Sequence, residues 1–411
     1  MRRTPALATA VAAALLLAAS CTSFPAGWVY VTRVTTTEAT LVWTGRGEEM
    51  VDCHGPDAPT LGPTIEHRPR GLRFARVQGL APDTGYICRI GRGRAQLRVR
   101  FRTAPARGEP FIFAAVGDSG DGSVVAARLA QRILAGRPAF LVHLGDMAYP
   151  RSSPPHLQQE FFTPYARLLS RVPLFPTPGN HDIARHTVYR DVFAPFRDGE
   201  GAARSQYAFD WGDARFAAVS SGEFPKGGET AARWLAGELT LAPPGAWRFV
   251  VLHEPLYTSG RKRVTRGLRA SLEPVLEAAH VDLVLAGHEH LYERALPACE
   301  YVPDARVLEV ISGGGGANLD HGRTLPNFAR TISATHYLRV RVTRQWLDIR
   351  AVGVDGQTLD RVHLRRGEEE ACRSSGWPVA DPEGGAVSRP KRADHVRPTA
   401  PRPATSGPPP T

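Results

Sequence analysis

The sequence predicts an α/β protein in which a small all-β sandwich domain precedes a layered domain with two sheets. Residues 27–104 alternate apolar and polar side chains in short runs, as strands with one buried face do. From residue 111 onward, near-continuous apolar runs of strand length alternate with segments of helical periodicity, which is typical of sheets covered on both faces. Late strand-like runs without long helices between them favour a second sheet in this part.

The amino terminus carries a targeting segment. Arg2 and Arg3 precede an apolar stretch, residues 6–19, that is too short to span a bilayer comfortably. Its end, LLLAASC, resembles a bacterial lipoprotein cleavage site, with Cys21 as the lipidated first residue of the mature chain. Ordinary signal-peptidase cleavage after Ser20 is the alternative. We therefore expect residues 1–20 to be a signal peptide. The protein is then exported, either anchored in the membrane by a lipid and facing the periplasm or cell exterior, or secreted if it is not lipidated.

Strand signals are dense between residues 27 and 104. WVYVTRVTTTEATLVWT alternates β-branched and aromatic residues with polar ones, and Pro82 and Asp83 mark a turn before another strand. The turn LAPDTGY and the closing FRTAP resemble a fibronectin type III-like domain. APARGEP (104–110) then has the composition of a linker.

The cysteine count agrees with export. Apart from Cys21 the chain has an even number of cysteines, which in an oxidising compartment could form two disulfides. The local pairings are Cys53 with Cys88 and Cys299 with Cys372, although three connectivities are possible. Free buried thiols are the alternative, and no CxxC or Cys/His zinc spacing occurs in the sequence.

Residues 111–373 carry the α/β pattern. The strand candidates are FIFAAVGD, AFLVHLGD, LFPTPGNHD, ARFAAVSS, RFVVLHEP and DLVLAGHEH, followed by RVLEVIS, HYLRVRV and WLDIRAVG. Helical periodicity predicts helices over 123–136, 157–170, 229–241 and 267–279. The alternation of these elements predicts helices packed on the outer faces of the sheets.

Charge and composition limit the partners. The chain has 411 residues and a formal net charge of +11, and a positive field favours anionic partners. No basic block with interleaved aromatic residues occurs, so we expect no binding of nucleic acid. Part of the excess charge lies in residues 374–411, whose richness in Pro, Arg, Ser and Gly predicts a disordered tail. Composition leaves the oligomeric state unknown.

Five of the predicted strands end in side chains that commonly bind metals. These are Asp118 in GDSG, Asp146 and Tyr149 in GDMAY, Asn180 and His181 in GNHD, His253 in VLHEP, and His288 and His290 in GHEH. A single fragment of this kind is more often a turn former, but five in succession indicate a metal site. Carboxyl ends of open α/β strands meet at one crevice. We expect the preceding glycines to allow sharp turns there.

The set GDSG, GDMAY, GNHD, VVLH and GHEH matches the five-block signature of metallophosphoesterases, and with its tyrosine it resembles the purple acid phosphatase branch. The resemblance spans residues 117–290 and extends to the preceding β-domain. It implies a dinuclear centre with the first metal on Asp118, Asp146, Tyr149 and His290, the second on Asn180, His253 and His288, and Asp146 bridging both. Carboxylate and phenolate suit iron(III), while imidazole and amide suit zinc, manganese or iron(II).

The resemblance also implies a reaction, the hydrolysis of a phosphate ester. Two metals can lower the pKa of a bound water, and the hydroxide would attack phosphorus. His181 and Asn180 would serve catalysis, with His181 contacting the phosphate. Phosphomonoesters are the leading substrates, and phosphodiesters or nucleotides are the alternative. A non-catalytic lipoprotein that binds surfaces through its β-domain is an alternative of another class, against which the intact ligand set argues.

The sequence departs from the family pattern in two places. Asp182 replaces the glutamate of the usual GNHE block, and we expect little change from this. Plant and animal relatives carry histidines about ten residues after the VxxH histidine, whereas this chain has LYTSGRKRVT there. The sequence therefore does not identify the residue that would protonate the leaving group. Lys262 and Arg263 in this segment either bind the substrate phosphate or form a solvated basic loop.

Three further features are given structural roles. SGGGGA (312–317) lacks the lysine and the helix context of a nucleotide-binding loop, and we expect a turn near the metals. His143 lies within an apolar run and is expected to be a core residue. Tyr292 follows GHEH, where packing is the expected role.

Overall fold

The structure, a computed structural model, describes residues 24, 27–45, 50–56, 62–93, 96–183, 186–193, 206–220, 224–262, 267–295, 307–325 and 327–366. The side chains of 186 and 224–228 are not among them. The described residues all belong to one compact unit that ends at Trp377. The predicted signal peptide and tail, together with Cys21, Arg263, Cys299 and Cys372, lie outside the described residues.

The amino-terminal part is an antiparallel β-sandwich. Its strands are β1 (Val29–Thr32), β2 (Glu38–Thr44), β3 (Val51–His54), β4 (Ile65–Arg68), β5 (Leu72–Gln78), β6 (Gly85–Ile90) and β7 (Leu97–Arg102). They form one sheet in the order β1-β2-β5-β4 and another in the order β3-β6-β7. A disulfide joins Cys53 to Cys88, which face each other directly on β3 and β6. The predicted all-β domain is therefore present.

The following part contains two larger sheets. Its strands are β8 (Phe111–Val116), β9 (Phe140–His143), β10 (Leu174–Pro176), β11 (Tyr207–Trp211), β12 (Ala214–Ala218), β13 (Trp247–Val251), β14 (Leu283–Ala286), β15 (Tyr292–Ala295), β16 (Leu308–Ser312), β17 (Phe328–Ile332), β18 (His336–Val342), β19 (Trp346–Gly353) and β20 (Thr358–Arg365). One sheet has the order β10-β9-β8-β18-β19-β20 and the other β11-β12-β13-β14-β16-β15-β17. β8, β9 and β10 are parallel to one another, as are β12, β13, β14 and β16.

The two sheets face each other across an aromatic core. Phe113 of β8 lies edge-to-face against Phe216 of β12 and Phe249 of β13, with ring centroids 5.2 and 5.5 Å apart. The alternating residues of the same strands, such as Ala114 and Val250, contact helices on the outer faces. The fold class predicted from the sequence, a layered two-sheet α/β domain behind a β-sandwich, is confirmed.

Helices cover both outer faces. The first sheet packs against Val124–Ala135 and a continuous helical run of Pro154–His156, Leu157–Phe162 and Thr163–Leu169, whose middle segment is π-helical. The second packs against Phe224–Thr240 and Leu268–Ala278. Asn180–Ile183 and His186–Phe193 complete the helices of the described chain, together with the 3-10 turn Pro69–Gly71. None of these described helices has both the length and the apolar character that a membrane span needs.

The sandwich is docked on the layered domain. The indole of Trp28 stacks on Phe162 with ring centroids 3.8 Å apart. In the linker segment, Arg107 Nε lies 3.0 Å from Asp213 Oδ1, and the Gly108 N–H donates to Asp213 Oδ2 over 2.8 Å. Side-chain contacts therefore hold the segment between the two parts against the second sheet.

Candidate metal centre

The predicted ligands meet where the parallel strands end. Asp118, Asp146 and Asn180 follow β8, β9 and β10 of the first sheet, and His253 and His288 follow β13 and β14 of the second. The ends of the two sheets are in contact here, since His253 Nδ1 lies 2.7 Å from the Leu144 carbonyl oxygen. This is the crevice that the order of motifs in the sequence predicts.

The first ligand cluster consists of Asp118, Tyr149 and His290. The Tyr149 hydroxyl lies 3.2 Å from Asp118 Oδ1 and 3.1 Å from His290 Nε2. His290 Nε2 lies 3.4 Å from the same carboxylate oxygen, so the three atoms form a compact triangle. His290 Nδ1 faces the Asn318 carbonyl oxygen at 2.8 Å and donates to it, which leaves the Nε2 lone pair directed into the cluster.

The second ligand cluster consists of Asn180, His253 and His288. Asn180 Oδ1 lies 3.1 Å from both His253 Nε2 and His288 Nδ1. The two histidine nitrogens are 3.3 Å apart, which closes a second triangle. Like the first, it is formed by side chains that lie far apart in the sequence and meet only in the folded chain.

Asp146 lies near a member of each cluster. Its Oδ2 is 3.5 Å from His253 Nε2 in the second cluster. Asp118, Asp146 and His253 each offer a ligand atom within 4.8 Å of the others, and all three side chains are buried. This carboxylate is therefore placed to reach ions held by either cluster.

The donor atoms fit a shared cation. Two ligands bound to one metal at roughly 2.1 Å lie about 3.0–3.4 Å from each other in octahedral or tetrahedral geometry, which is the spacing found in both clusters. His253 Nδ1 must donate to the Leu144 carbonyl, so in the neutral ring Nε2 carries only a lone pair. That lone pair faces the amide oxygen of Asn180, and such a contact is favourable only if a proton or a metal ion lies between them.

The charge states follow from burial and proximity. Burial lowers the pKa of His253, but the Asp146 and Asp118 carboxylates and the Leu144 carbonyl together outweigh burial and raise the value to about 10. Burial and the neighbouring His253 lower the pKa of His288 to about 4, which keeps this ring neutral and able to bind a metal. Burial together with the Asp118 and Asp146 carboxylates raises the pKa of Tyr149 well above its usual value, so a phenolate needs a strong cation beside it.

The backbone at the site adopts an unusual conformation. Asp118, Asp146 and His288 have φ values of 59°, 56° and 72°, in the left-handed region that non-glycine residues seldom occupy. Such strain is retained where the surrounding structure enforces it, and it is common at functional sites. The folded chain therefore forces these three side chains toward the centre.

The glycines of the motifs act mainly by leaving space. Gly145 has φ +94° and makes the sharp turn that the sequence predicts. Gly117, Gly179 and Gly287, the other glycines that precede ligands, do not have a positive φ. A Cβ at Gly179 would lie 2.1 Å from Asp146 Oδ1, and one at Gly287 would lie 2.7 Å from Asp118 Oδ2. These two positions exclude any side chain because carboxylates of the site occupy the space.

His181 lies at the open side of the centre. Its side chain is about one-third exposed, and its Nδ1 lies 2.8 Å from the Pro150 carbonyl oxygen. Its Nε2 is 3.9 Å from Asp146 Oδ2, and its ring packs edge-on against Tyr149. The residue borders the site without joining either cluster.

Lys262 has partners in the protein. Its ammonium group donates to the His288 carbonyl oxygen and lies 3.1 Å from Asp320 Oδ2. The residue is thus part of the wall of the site. Arg263, the other basic residue proposed for substrate binding, lies outside the described residues.

The residues given structural roles lie around the centre. His143 is buried, with Nε2 2.8 Å from the Ser119 hydroxyl, and burial lowers its pKa to about 3. The Tyr292 hydroxyl donates to Asp360 over 2.7 Å, away from the clusters. The glycine run borders the metal-site strands, since a Cβ at Gly313 would lie 2.7 Å from Asp118 Oδ2.

Several supporting residues were not predicted. Asp182 accepts hydrogen bonds from the backbone N–H groups of Asp146, Met147 and Gly179 over 2.7, 3.1 and 2.9 Å. The position of Asp182 in the GNHD motif is the only sign of this role in the sequence. Asp320 accepts from the His290 N–H over 2.9 Å, and no motif marks it.

The fold and the two ligand clusters can be compared with those of known protein families. Residues 111–292, which contain both ligand clusters, match the calcineurin-like phosphoesterase family model. A purple acid phosphatase from yellow lupin seeds (Lupinus luteus) has the same fold, with a TM-score of 0.74 and 16% identity over 86% of this chain and 78% of that one. This part of the chain is thus similar to calcineurin-like phosphoesterase domains in sequence and to a purple acid phosphatase in fold, and the resemblance seen in the sequence is confirmed.

The particular relatives are purple acid phosphatases. The chain is 28% identical over 260 residues to purple acid phosphatase 21 of Arabidopsis thaliana, covering 60% of this chain and 58% of that protein. It is also 28% identical over 247 residues to purple acid phosphatase 1 of Ipomoea batatas, covering 54% and 52%. The chain thus spans less than two thirds of the length of these plant relatives.

Proposed function

We propose that the protein is an exported phosphatase that hydrolyses phosphomonoesters at a dinuclear metal centre. One observation carries this proposal. Two triangles of ligand atoms, each with sides of 3.1–3.4 Å, lie beside the Asp146 carboxylate, which is within 4.8 Å of Asp118 in one and of His253 in the other. The similarity to purple acid phosphatases supports the same reaction class.

The two clusters differ in the ions they suit. Asp118, Tyr149 and Asp146 offer anionic oxygens together with His290, and this hard donor set favours iron(III). Asn180, His253 and His288 offer an amide oxygen and two imidazoles, which favour zinc, manganese or iron(II). We therefore propose a mixed centre in which Asp146 would help to hold both ions.

The chain's own residues would bind and orient the substrate. When bound, two metal ions supply a water of lowered pKa as nucleophile and a clamp for the phosphate group. The Nδ1 of His181 donates to the Pro150 carbonyl oxygen, so its Nε2 is available on the open side of the site. A protonated His181 can donate from Nε2 to a phosphate oxygen and stabilise charge that develops during attack. Asn180 orients this end of the site through its contacts with His253 and His288.

The location is proposed from the amino-terminal sequence. The basic start, the short apolar stretch and the small residues before Cys21 support export and lipidation. A membrane-anchored phosphatase facing the periplasm or cell exterior would act on phosphate esters outside the cytoplasm. The Cys53–Cys88 disulfide agrees with an oxidising compartment.

A substrate panel tests the function. Purified protein is supplied with iron and zinc and assayed with 4-nitrophenyl phosphate, bis(4-nitrophenyl) phosphate and a nucleoside monophosphate. We expect the monoesters to be turned over with a higher kcat/KM than the diester. A preference for the diester would favour the phosphodiesterase alternative. Metal binding without turnover of any ester would favour the non-catalytic surface protein.

A further inference from the structure

Lys262 and Asp320 form an ion pair against the histidine segment of the metal centre. Lys262 Nζ lies 3.1 Å from Asp320 Oδ2, and both side chains are about one-third exposed. Because an ammonium group and a carboxylate carry opposite charges, the hydrogen bond between them is charge-assisted and stronger than one between neutral groups. The two residues come from different loops, which follow β13 and β16.

The pair contacts every residue of the segment 288–290. The Lys262 ammonium donates to the His288 carbonyl oxygen. The Lys262 backbone N–H donates to Glu289 Oε1 over 3.1 Å. Asp320 Oδ2 accepts from the His290 backbone N–H over 2.9 Å. The segment is therefore fixed at both ends and in the middle.

The position of the ion pair affects the ligands of both metal ions. His288 belongs to the second ligand cluster and His290 to the first, so one short segment supplies a ligand to each. The backbone of His288 has φ 72°, a conformation that costs free energy and needs support from its surroundings. The ammonium bound to the His288 carbonyl oxygen provides such support.

We propose that Lys262 and Asp320 are positioning residues that brace the segment 288–290 and thereby set the affinity of the centre for both metals. This inference rests on the proposed two-metal function. It replaces the expectation that Lys262 binds the substrate phosphate. The lysine holds protein groups on both sides, and a phosphate would have to displace Asp320 to reach it.

Replacement of Lys262 tests the brace. Lys262→Met removes the charge and the three donors but keeps a side chain of similar length. We expect the dissociation constants of both metals to rise about 10- to 100-fold, the usual effect of removing a group that orients metal ligands. Equilibrium titration of apoprotein with Zn²⁺ for the second ligand cluster and with chelated Fe³⁺ for the first, each followed by metal analysis, gives these constants without an activity assay. Added metal should restore kcat, with KM for 4-nitrophenyl phosphate close to the wild-type value.

Two further variants separate the possible explanations. Arg261→Met removes the same charge from the neighbouring exposed position and should leave both metal affinities unchanged. Asp320→Asn removes the charge of the partner and keeps an oxygen for the His290 N–H, so it should weaken metal binding in the same direction as Lys262→Met. Asp320→Asn also serves if Lys262→Met does not fold.

The possible outcomes distinguish failure of the brace formed by Lys262 and Asp320 from failure of the proposed two-metal function. Unchanged metal dissociation constants in Lys262→Met, together with a raised KM and weaker inhibition by phosphate, would show that the lysine binds substrate and would overturn the brace alone. Equal loss of metal affinity in Arg261→Met would show a general effect of loop charge, which also overturns it. A wild-type protein that binds no metal would overturn the proposed function and the brace together.

Discussion

At the scale of single residues, the ligand side chains have their orientation set by a second contact. His253 is held through Nδ1 by the Leu144 carbonyl, and His290 by the Asn318 carbonyl. Asp118 accepts from the His288 N–H over 2.8 Å, and Asp146 accepts from the His181 N–H over 2.9 Å. Partners of this kind fix ring orientation and tautomer in metal sites. The site is thus arranged by the protein itself.

Tyr149 gives a spectroscopic prediction. If its phenolate binds iron(III), the iron-loaded oxidised protein should absorb visible light through ligand-to-metal charge transfer. Tyr149→Phe should lose this band but keep part of its activity, because Asp118, Asp146 and His290 still surround the ion. Visible spectra of both proteins at equal iron content check this. A colourless iron-loaded wild type would rule out phenolate ligation and leave two-metal hydrolysis in place.

Gly179 gives a steric prediction. In Gly179→Ala the new Cβ would start 2.1 Å from Asp146 Oδ1, so the carboxylate must move. Displacing a central group by about 1 Å commonly costs on the order of a hundredfold in rate, and we expect that loss in kcat/KM. The control is Gly237→Ala on the exposed face of Phe224–Thr240, where a Cβ meets nothing within 4 Å. That change should stabilise the helix by about 0.5–1 kcal/mol with normal activity. Normal activity in Gly179→Ala would contradict the placement of Asp146.

The metal-binding residues of the centre could be predicted from the sequence, but the residues that hold them in place could not. Asp, Asn, His and Tyr at strand ends occur in short motifs, because a ligand and its turn are adjacent in sequence. Asp320 and Glu309 support the centre or its loop from elements that are distant in sequence. Only the folded chain brings them close. A carboxylate in a loop or strand gives no local sign of such a role.

At the scale of elements, the segment after β13 is held by three buried glutamates. Glu309 accepts from the Leu256 and Tyr257 N–H groups over 2.7 and 3.0 Å. Glu293 accepts from the Ser259 N–H over 3.0 Å, and Glu289 from the Lys262 N–H over 3.1 Å. This segment also carries one wall of the metal centre, so its conformation depends on carboxylates buried beneath it.

Those glutamates predict how stability changes with pH. Burial raises the pKa of Glu309 to about 8, against an ordinary value of 4.5. Between these values the folded protein retains a proton that the unfolded chain has lost, so this group makes stability fall as pH rises. In Glu309→Gln the free energy of unfolding should fall less steeply between about pH 5 and 8, by up to ~1.4 kcal/mol per pH unit.

Denaturant unfolding at several pH values measures that slope. Glu66→Gln, at an exposed position of the sandwich, is the control and should keep the wild-type slope. An identical slope in Glu309→Gln would show that Glu309 does not titrate in this window.

Element prediction succeeded where the pattern was strong and local. The apolar runs predicted β8, β9, β13 and β14, and periodicity located the helices Val124–Ala135 and Leu268–Ala278. Six strands were missed: β3 (VDCH), β4 (IEHR), β11 (YAFDW), β15 (YERA), β17 (FARTI) and β20 (TLDRVHLR). They are short or rich in charge and pair in antiparallel fashion at or near sheet edges. There the neighbouring strand decides the conformation more than intrinsic preference does.

At the scale of the whole molecule, the proposed anchor makes a prediction. A lipid chain on Cys21 adds apolar area that holds a protein at a membrane. In a bacterial host that processes lipoproteins, Cys21→Ser should move the protein from the membrane fraction to the soluble exported fraction, with unchanged activity per molecule. Fractionation and mass analysis of the mature amino terminus check this. A wild type without acyl mass at its amino terminus would refute the anchor.

The central claim is that one carboxylate, Asp146, lies between two metal ions. The metal-to-protein ratio of purified wild type and Asp146→Ala tests it most directly. We predict two ions per chain in the wild type and a loss of both in the variant, because the carboxylate lies beside both ligand clusters. Circular dichroism should show that Asp146→Ala is folded. A wild type that binds a single ion, or a folded variant that still holds two, would contradict the account.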